Sequence, residues 1–338
     1  MTLTGFVLLY IAATIAIGVI AATRVKNTSD FALAGRSLPL PMVITATFAT
    51  WFGSETILGL PGRFIESGIA GVIEEPFGSG MALILVGTFF AHKLYKQNIL
   101  TLGDYYRDRY GRSVELLCSV AIVISYLGWV GAQVTALGLV INLITEGAVS
   151  MTTGMVIGAA VVLAYTMVGG MWSVAMTDFV QMIVIVVGLV AILWFATDLA
   201  GGMDKVVDYA RGRDLFHAFP EPTTTGWLFW ISAAMTMMIG SIPQQDVFQR
   251  VMSAKNLPTA VAGPILGGSF YILFAFVPMF IVVAAILVMP DAAEKMLSED
   301  PQQLLPTLVR DYMPMWLRVV FFGAVLSAGL STGFSTML

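Results

Sequence analysis

Long apolar runs separated by short polar segments dominate the chain. A helix needs roughly 20 apolar residues to cross the hydrocarbon core, and Met1–Thr23, Phe179–Thr197 and Asn256–Pro290 carry no charged residue at all. The pattern predicts nine spans, at about 3–23, 40–62, 70–92, 114–144, 151–172, 177–199, 226–252, 259–289 and 314–338. The runs are continuous rather than alternating, which predicts helices and not a β-barrel. No Lys or Arg precedes the first run, so it does not read as a signal peptide. The sequence stops at Leu338 inside an apolar run, and the expectation is a fragment of a longer chain with further spans.

Composition sharpens this picture. The chain has 338 residues, 58% hydrophobic and 11% charged, with a mean hydropathy of +0.87. A soluble domain carries about 25% charged residues, so this chain cannot cover a water-facing surface of its size. That excludes a cytosolic enzyme and a disordered protein. A net charge of −4 argues against nucleic acid, whose binding needs clustered Lys and Arg. A single cysteine, Cys118, excludes an intrachain disulfide, and two histidines, His92 and His217, leave no zinc constellation or nucleophile–base set. The expectation is an all-α, multi-pass protein of the cell (inner) membrane, with the lipid bilayer as its surroundings.

The basic residues predict the orientation. Arg24, Lys26, Arg36, Lys93, Lys96, Arg107, Arg109, Arg112, Arg250 and Lys255 would share one side, and the other seven of the 17 Lys and Arg the opposite side. The first set sits in shorter loops, which predicts that it faces the cytoplasm and that the N-terminus lies outside. Residues 198–221 and 291–311 then read as external loops. Thr101–Arg112 mixes Tyr105, Tyr106 and Tyr110 with arginines, the pattern of an interfacial helix with its rings at the headgroups.

Two spans are interrupted. The second contains Gly53-Ser54-Glu55 and Gly59-Leu60-Pro61-Gly62. The seventh contains Gly240-Ser241-Ile242-Pro243, followed by Gln244, Gln245 and Asp246. Unwound backbone at membrane depth survives only where it lines a cavity or is buried in protein, and paired broken helices point to a transporter site. The two interrupted spans are five helices apart, and an odd number reverses direction across the membrane. Spacing alone therefore predicts a five-plus-five inverted repeat behind one extra helix. Residues 1–39 would form the leading helix and loop, 40–200 the first repeat and 226–338 part of the second, within one incomplete transmembrane domain.

Phe31–Leu38 (FALAGRSL) resembles the loop motif of the sodium:solute symporter family, the glucose, proline, pantothenate and iodide symporters. Tyr165–Gln181 (YTMVGGMWSVAMTDFVQ) resembles that family's most characteristic signature, and Gln249-Arg250 with Ala254-Lys255 its motif after the seventh helix. The resemblance runs from about residue 30 to 338. It implies a leucine-transporter-type fold of thirteen or more helices, here ending after about nine, and sodium-coupled import of a small polar metabolite by alternating access.

The resemblance also implies site residues. Sodium would bind the carbonyls of Ala49, Phe52 and Ala328 and the hydroxyls of Ser331 and Thr332. The spacing is physically consistent with this: Ala49 and Phe52 precede the Gly53 break, and helical side chains lean toward the N-terminus, bringing both hydroxyls beside the Ala328 carbonyl. Neutral oxygens suit a hard monovalent cation. Both hydroxyls could instead back-bond to carbonyls one turn earlier. Substrate contacts are expected from Ser54, Glu55, Gln244, Gln245 and Asp246 at the breaks and from Glu75, which lines up with a substrate-contacting acid of the sugar symporters. Asp178 reads as a helix N-cap or, through the resemblance, as a group on the inner ion path. A transporter-like sensory input domain is the alternative function, and a channel is disfavoured by the paired breaks.

Overall fold

The computed structural model describes residues 3–337, apart from the side chains at 162, 164–168, 327, 331 and 334–337. Helix follows helix, and the described residues form no sheet. α1 (Leu3–Ala22) leads through the short α2 (Thr28–Leu33) to a helix broken twice, α3 (Leu40–Trp51), α4 (Ser54–Leu58) and α5 (Leu60–Gly71). A turn at Ile73–Gly78, extended at Glu75 (φ −139°, ψ 123°), opens α6 (Ser79–Leu85), which continues into α7 (Ala91–Gln97), and α8 (Leu102–Tyr110) precedes the 33-residue α9 (Arg112–Ile144). α10 (Met151–Leu199) is divided by a turn at Gly170, and α11 (Met203–Gly212) follows. α12 (Thr224–Gly240) and α13 (Gln245–Met252) form a pair bent by 45°. α14 (Leu257–Phe274), α15 (Phe276–Val288), α16 (Pro290–Glu299), α17 (Leu304–Tyr312) and α18 (Met315–Met337) complete the chain.

Among the described residues, five helices are long and apolar enough to cross a membrane, or six with the bent pair as one span. The remaining expected spans coincide with the shorter apolar helices Leu40–Trp51, Met151–Val161 and Met315–Leu330. Three boundaries differ from the sequence reading. The second span does not stop at 62, because α5 carries it on to a turn at Gly68 (φ 60°, ψ −162°). The fifth and sixth meet at Gly170 (φ 53°, ψ −168°), so the sixth begins before residue 177. A Cβ at Gly170 would stand 2.7 Å from the Phe31 carbonyl; the left-handed backbone and the close approach both require glycine. Asp178 therefore lies inside a helix rather than at its N-terminus. The expected loops 198–221 and 291–311 contain helical segments, and α17 buries Leu304–Val309.

α10 packs against α1, α9 and α18, while α3 lies between α10 and α14. Most apolar side chains inside join one cluster. Leu116, Val120, Val123, Ile124 and Leu127 of α9 are exposed, as a lipid-facing surface requires. Two of the sequence motifs meet: Leu38 N–H donates to Ser253 O (3.0 Å) and Lys255 N–H to Leu38 O (2.9 Å). α8 is capped by Thr101 and Asp104 in a reciprocal box, and its Leu102 is buried with Leu33, Phe248 and Met252.

Candidate functional site

An α-helical carbonyl accepts from the N–H four residues on. For Ala49 that donor would be Gly53, but the Gly53 N–H turns back to Trp51 O at 2.8 Å. The Ala49 carbonyl accepts instead from Thr332 Oγ1 of α18, at 3.3 Å. Phe52 (φ −79°, ψ 72°) leaves the helical region, and Thr56 Oγ1 lies 2.9 Å from the Trp51 carbonyl. The break thus frees backbone oxygens inside the protein, the arrangement that lets carbonyls face an ion. Ala49, Phe52 and Ala328 line one small cavity together with Asp178 and Gln181 of α10. The Ser331 side chain lies outside the described ones, so four of the five expected sodium residues are visible here. Thr332 bonds across to α3 rather than only back along its own helix.

Sequence reasoning missed Gln133. This α9 side chain is buried, and its Oε1 accepts from Ser54 N–H (3.3 Å), the first donor of α4. Gly53 is clamped beside it: a Cβ there would stand 3.0 Å from Gln133 Oε1 and 3.1 Å from Thr332 Oγ1. A carboxamide deep in an apolar span was the available signal, since polar groups at that depth are costly and tend to be functional. Ser54 turns its hydroxyl to Val325 O (3.2 Å), so it ties α4 to α18 rather than facing a solute cavity.

Glu75 is buried and accepts from Tyr271 Oη (2.5 Å) and Thr56 Oγ1 (2.9 Å). The three join the turn before α6, the broken helix and α14. Tyr271 was also missed; within an apolar run it reads as packing. Glu55 is ion-paired to Arg63 of α5 at 2.7 Å. Glu55, Glu75, Glu74, Arg63, Trp129 and Met237 line one cavity of about 350 Å3, within the range of small-ligand sites.

The second break sits apart from that cavity. Asp246 is buried, with Oδ1 accepting from Tyr126 Oη (3.0 Å) and from Val247 N–H (2.7 Å). Gln245 Oε1 accepts from Leu102 N–H at the start of α8 (2.9 Å). Gln244 is half-buried at the N-cap of α13. The sequence expected all three to share a cavity with Glu55 and Glu75. The 45° bend instead turns Gln245 and Asp246 toward α8 and α9.

Comparison with known proteins matches the chain to a family. The model of the sodium:solute symporter family matches residues 31–338. A high-affinity choline transporter of Caenorhabditis elegans is 28% identical over 92% of this chain and 54% of its own length, and that of Homo sapiens is 28% identical over 95% and 57%. A sodium/glucose cotransporter of Danio rerio is 26% identical over 96% of the chain and 55% of its own. The chain thus spans about half the length of the curated relatives it matches. A solved structure of a Na+-coupled sialic acid symporter, in a substrate-bound outward-open state, superposes with a TM-score of 0.84 at 18% identity, covering 99% of this chain and 71% of that one. The expected all-helical leucine-transporter-type fold is the one these helices adopt.

Proposed function

The chain belongs to the sodium:solute symporter family, and on that premise we propose that the protein imports a small polar metabolite by coupling it to inward sodium. The observation that carries this reading is the Thr332 hydroxyl on the freed Ala49 carbonyl, beside a cavity lined by Phe52, Ala328 and Asp178. Ala49, Phe52, Ala328, Ser331 and Thr332 would hold the ion, and Asp178 would stand on its path. One charge moving inward through 100 mV is worth about 2.3 kcal/mol, enough for roughly fifty-fold accumulation of a solute. The relatives described above are transporters rather than enzymes or sensors.

The solute is an amine-bearing cation in this reading. Glu55 and Glu75 put carboxylates in one cavity beside the Trp129 ring, and a cation gains from both a carboxylate and an aromatic face. The relatives named as choline transporters support the same class. Glu55 and Glu75 would contact the solute directly, whereas Ser54, Gln245 and Asp246 would shape the two breaks through the bonds described above. The end of the molecule carrying α11, α16 and α17 would face outside, leaving α8 at the cytoplasmic surface.

Uptake of radiolabelled choline by the full-length protein in proteoliposomes, with and without a sodium gradient, tests this. Amino acids, sugars, vitamins and carboxylates serve as competitors. Sodium-dependent choline uptake supports both parts. Sodium-dependent uptake of an uncharged or anionic solute without an amine would overturn the amine class alone, and uptake indifferent to sodium would overturn the coupling.

A further inference from the structure

We propose that Arg63 is a resident counter-cation on the solute path, holding the Glu55 carboxylate until an ammonium group of the solute replaces it. The inference rests on the amine reading above and adds a residue to it. Glu55 and Arg63 pair at 2.7 Å, with side chains 27% and 41% exposed. Both line the cavity shared with Glu75, Trp129 and Met237. Both also line a second cavity of about 350 Å3, walled by Glu66, Thr135 and Gln302 among others. The pair therefore stands where the two spaces adjoin, and Ala132 faces both.

The pair has little to hold together. Its members sit on α4 and α5 of the same broken helix, whose Leu58, Leu60 and Phe64 are already buried. Among the described residues lining the two cavities, Arg63 is the single base against Glu55, Glu66, Glu74 and Glu75. A carboxylate three-quarters removed from water is costly without a counter-ion, and Arg63 supplies one. An arriving ammonium can take its place without leaving Glu55 bare, which a neutral or anionic solute cannot do. Glu66, three residues after Arg63 on α5, is placed to receive the released guanidinium, since residues three apart are neighbours on a helix surface.

The test uses the full-length protein in proteoliposomes with Ala132→Cys in a background where every native cysteine, Cys118 among them, is replaced by alanine. Rates of modification of the introduced cysteine are compared for a trimethylammonium-ethyl and a sulfonato-ethyl methanethiosulfonate. Arg63→Gln and Arg63→Met should each raise the cation-to-anion rate ratio about threefold or more, the effect of one charge removed at short range through a partly watery medium. Arg63→Lys should leave it near the parent value. A ratio unchanged in both neutral variants overturns the counter-cation role whatever the solute is. In the second arm, without the cysteine changes, Arg63→Gln should lower the half-saturation for choline about threefold and leave inhibition by its uncharged isostere 3,3-dimethyl-1-butanol unmoved. Equal shifts for both compounds, or a raised half-saturation for choline, overturn the exchange. A parent protein with no sodium-dependent choline uptake overturns the amine reading itself, an outcome the cysteine arm separates from failure at Arg63.

Discussion

The hydroxyl of Thr332 reaches the carbonyl of Ala49 across 283 residues of sequence. It does so because the Gly53 N–H, the donor Ala49 would have in an unbroken helix, is bonded to Trp51. If this oxygen pair helps to hold sodium, Thr332→Ala should raise the sodium concentration for half-maximal uptake about tenfold, the equivalent of ~1.4 kcal/mol. Thr332→Ser should behave like the parent. An identical sodium curve for the alanine variant would remove Thr332 from the ion site.

Gly53 makes a second test, because it is confined by both Gln133 and Thr332. Gly53→Ala should displace one of these side chains and weaken sodium activation severalfold, with a loss of thermal stability of about 1–3 kcal/mol from overpacking. At Gly240, at the end of α12, an added methyl group would meet nothing within 4 Å, so Gly240→Ala is the matched control and should leave sodium activation unchanged. Equal behaviour of the two variants would show that the crowding at Gly53 has no bearing on the ion.

The buried trio Glu75, Thr56 and Tyr271 is open to a double-mutant cycle. Tyr271→Phe leaves the Glu75 carboxylate short of one donor, which should destabilise the protein by about 1–3 kcal/mol. It should be read as a lowered melting temperature in detergent. With Glu75→Gln in place, the same change should do less, since residues in one hydrogen-bond network are non-additive. Strict additivity would show that the two side chains act independently.

Orientation is tested by labelling. Asp208 on α11 and Asp108 on α8 are both exposed. In intact cells, Asp208→Cys should react with a membrane-impermeant maleimide, and Asp108→Cys only after permeabilisation. The reverse pattern would invert the topology read from the Lys and Arg distribution.

The sequence by itself determined the membrane class, the approximate spans, both breaks and the family. Each depends on local features: hydropathy over a window, Gly and Pro inside a span, and short motifs such as the one ending at Gln181. Through the family resemblance it also marked Ala49, Phe52, Ala328, Ser331 and Thr332, a set with which the break at Gly53 and the three- and four-residue helical spacing agree. Only the tertiary structure decided which polar groups meet across helices. Gln133 on Ser54, Tyr271 on Glu75 and Gln245 on Leu102 depend on how each helix is rotated about its axis. Hydropathy cannot report that rotation in a membrane protein, since lipid tails and the packed interior are equally apolar and no face of a span is marked by contrast. The same lack of contrast hid the bend that turned Gln245 and Asp246 away from the Glu55 cavity, because a Gly-Ser-Ile-Pro interruption fixes where a helix breaks and leaves its new direction to the surrounding helices.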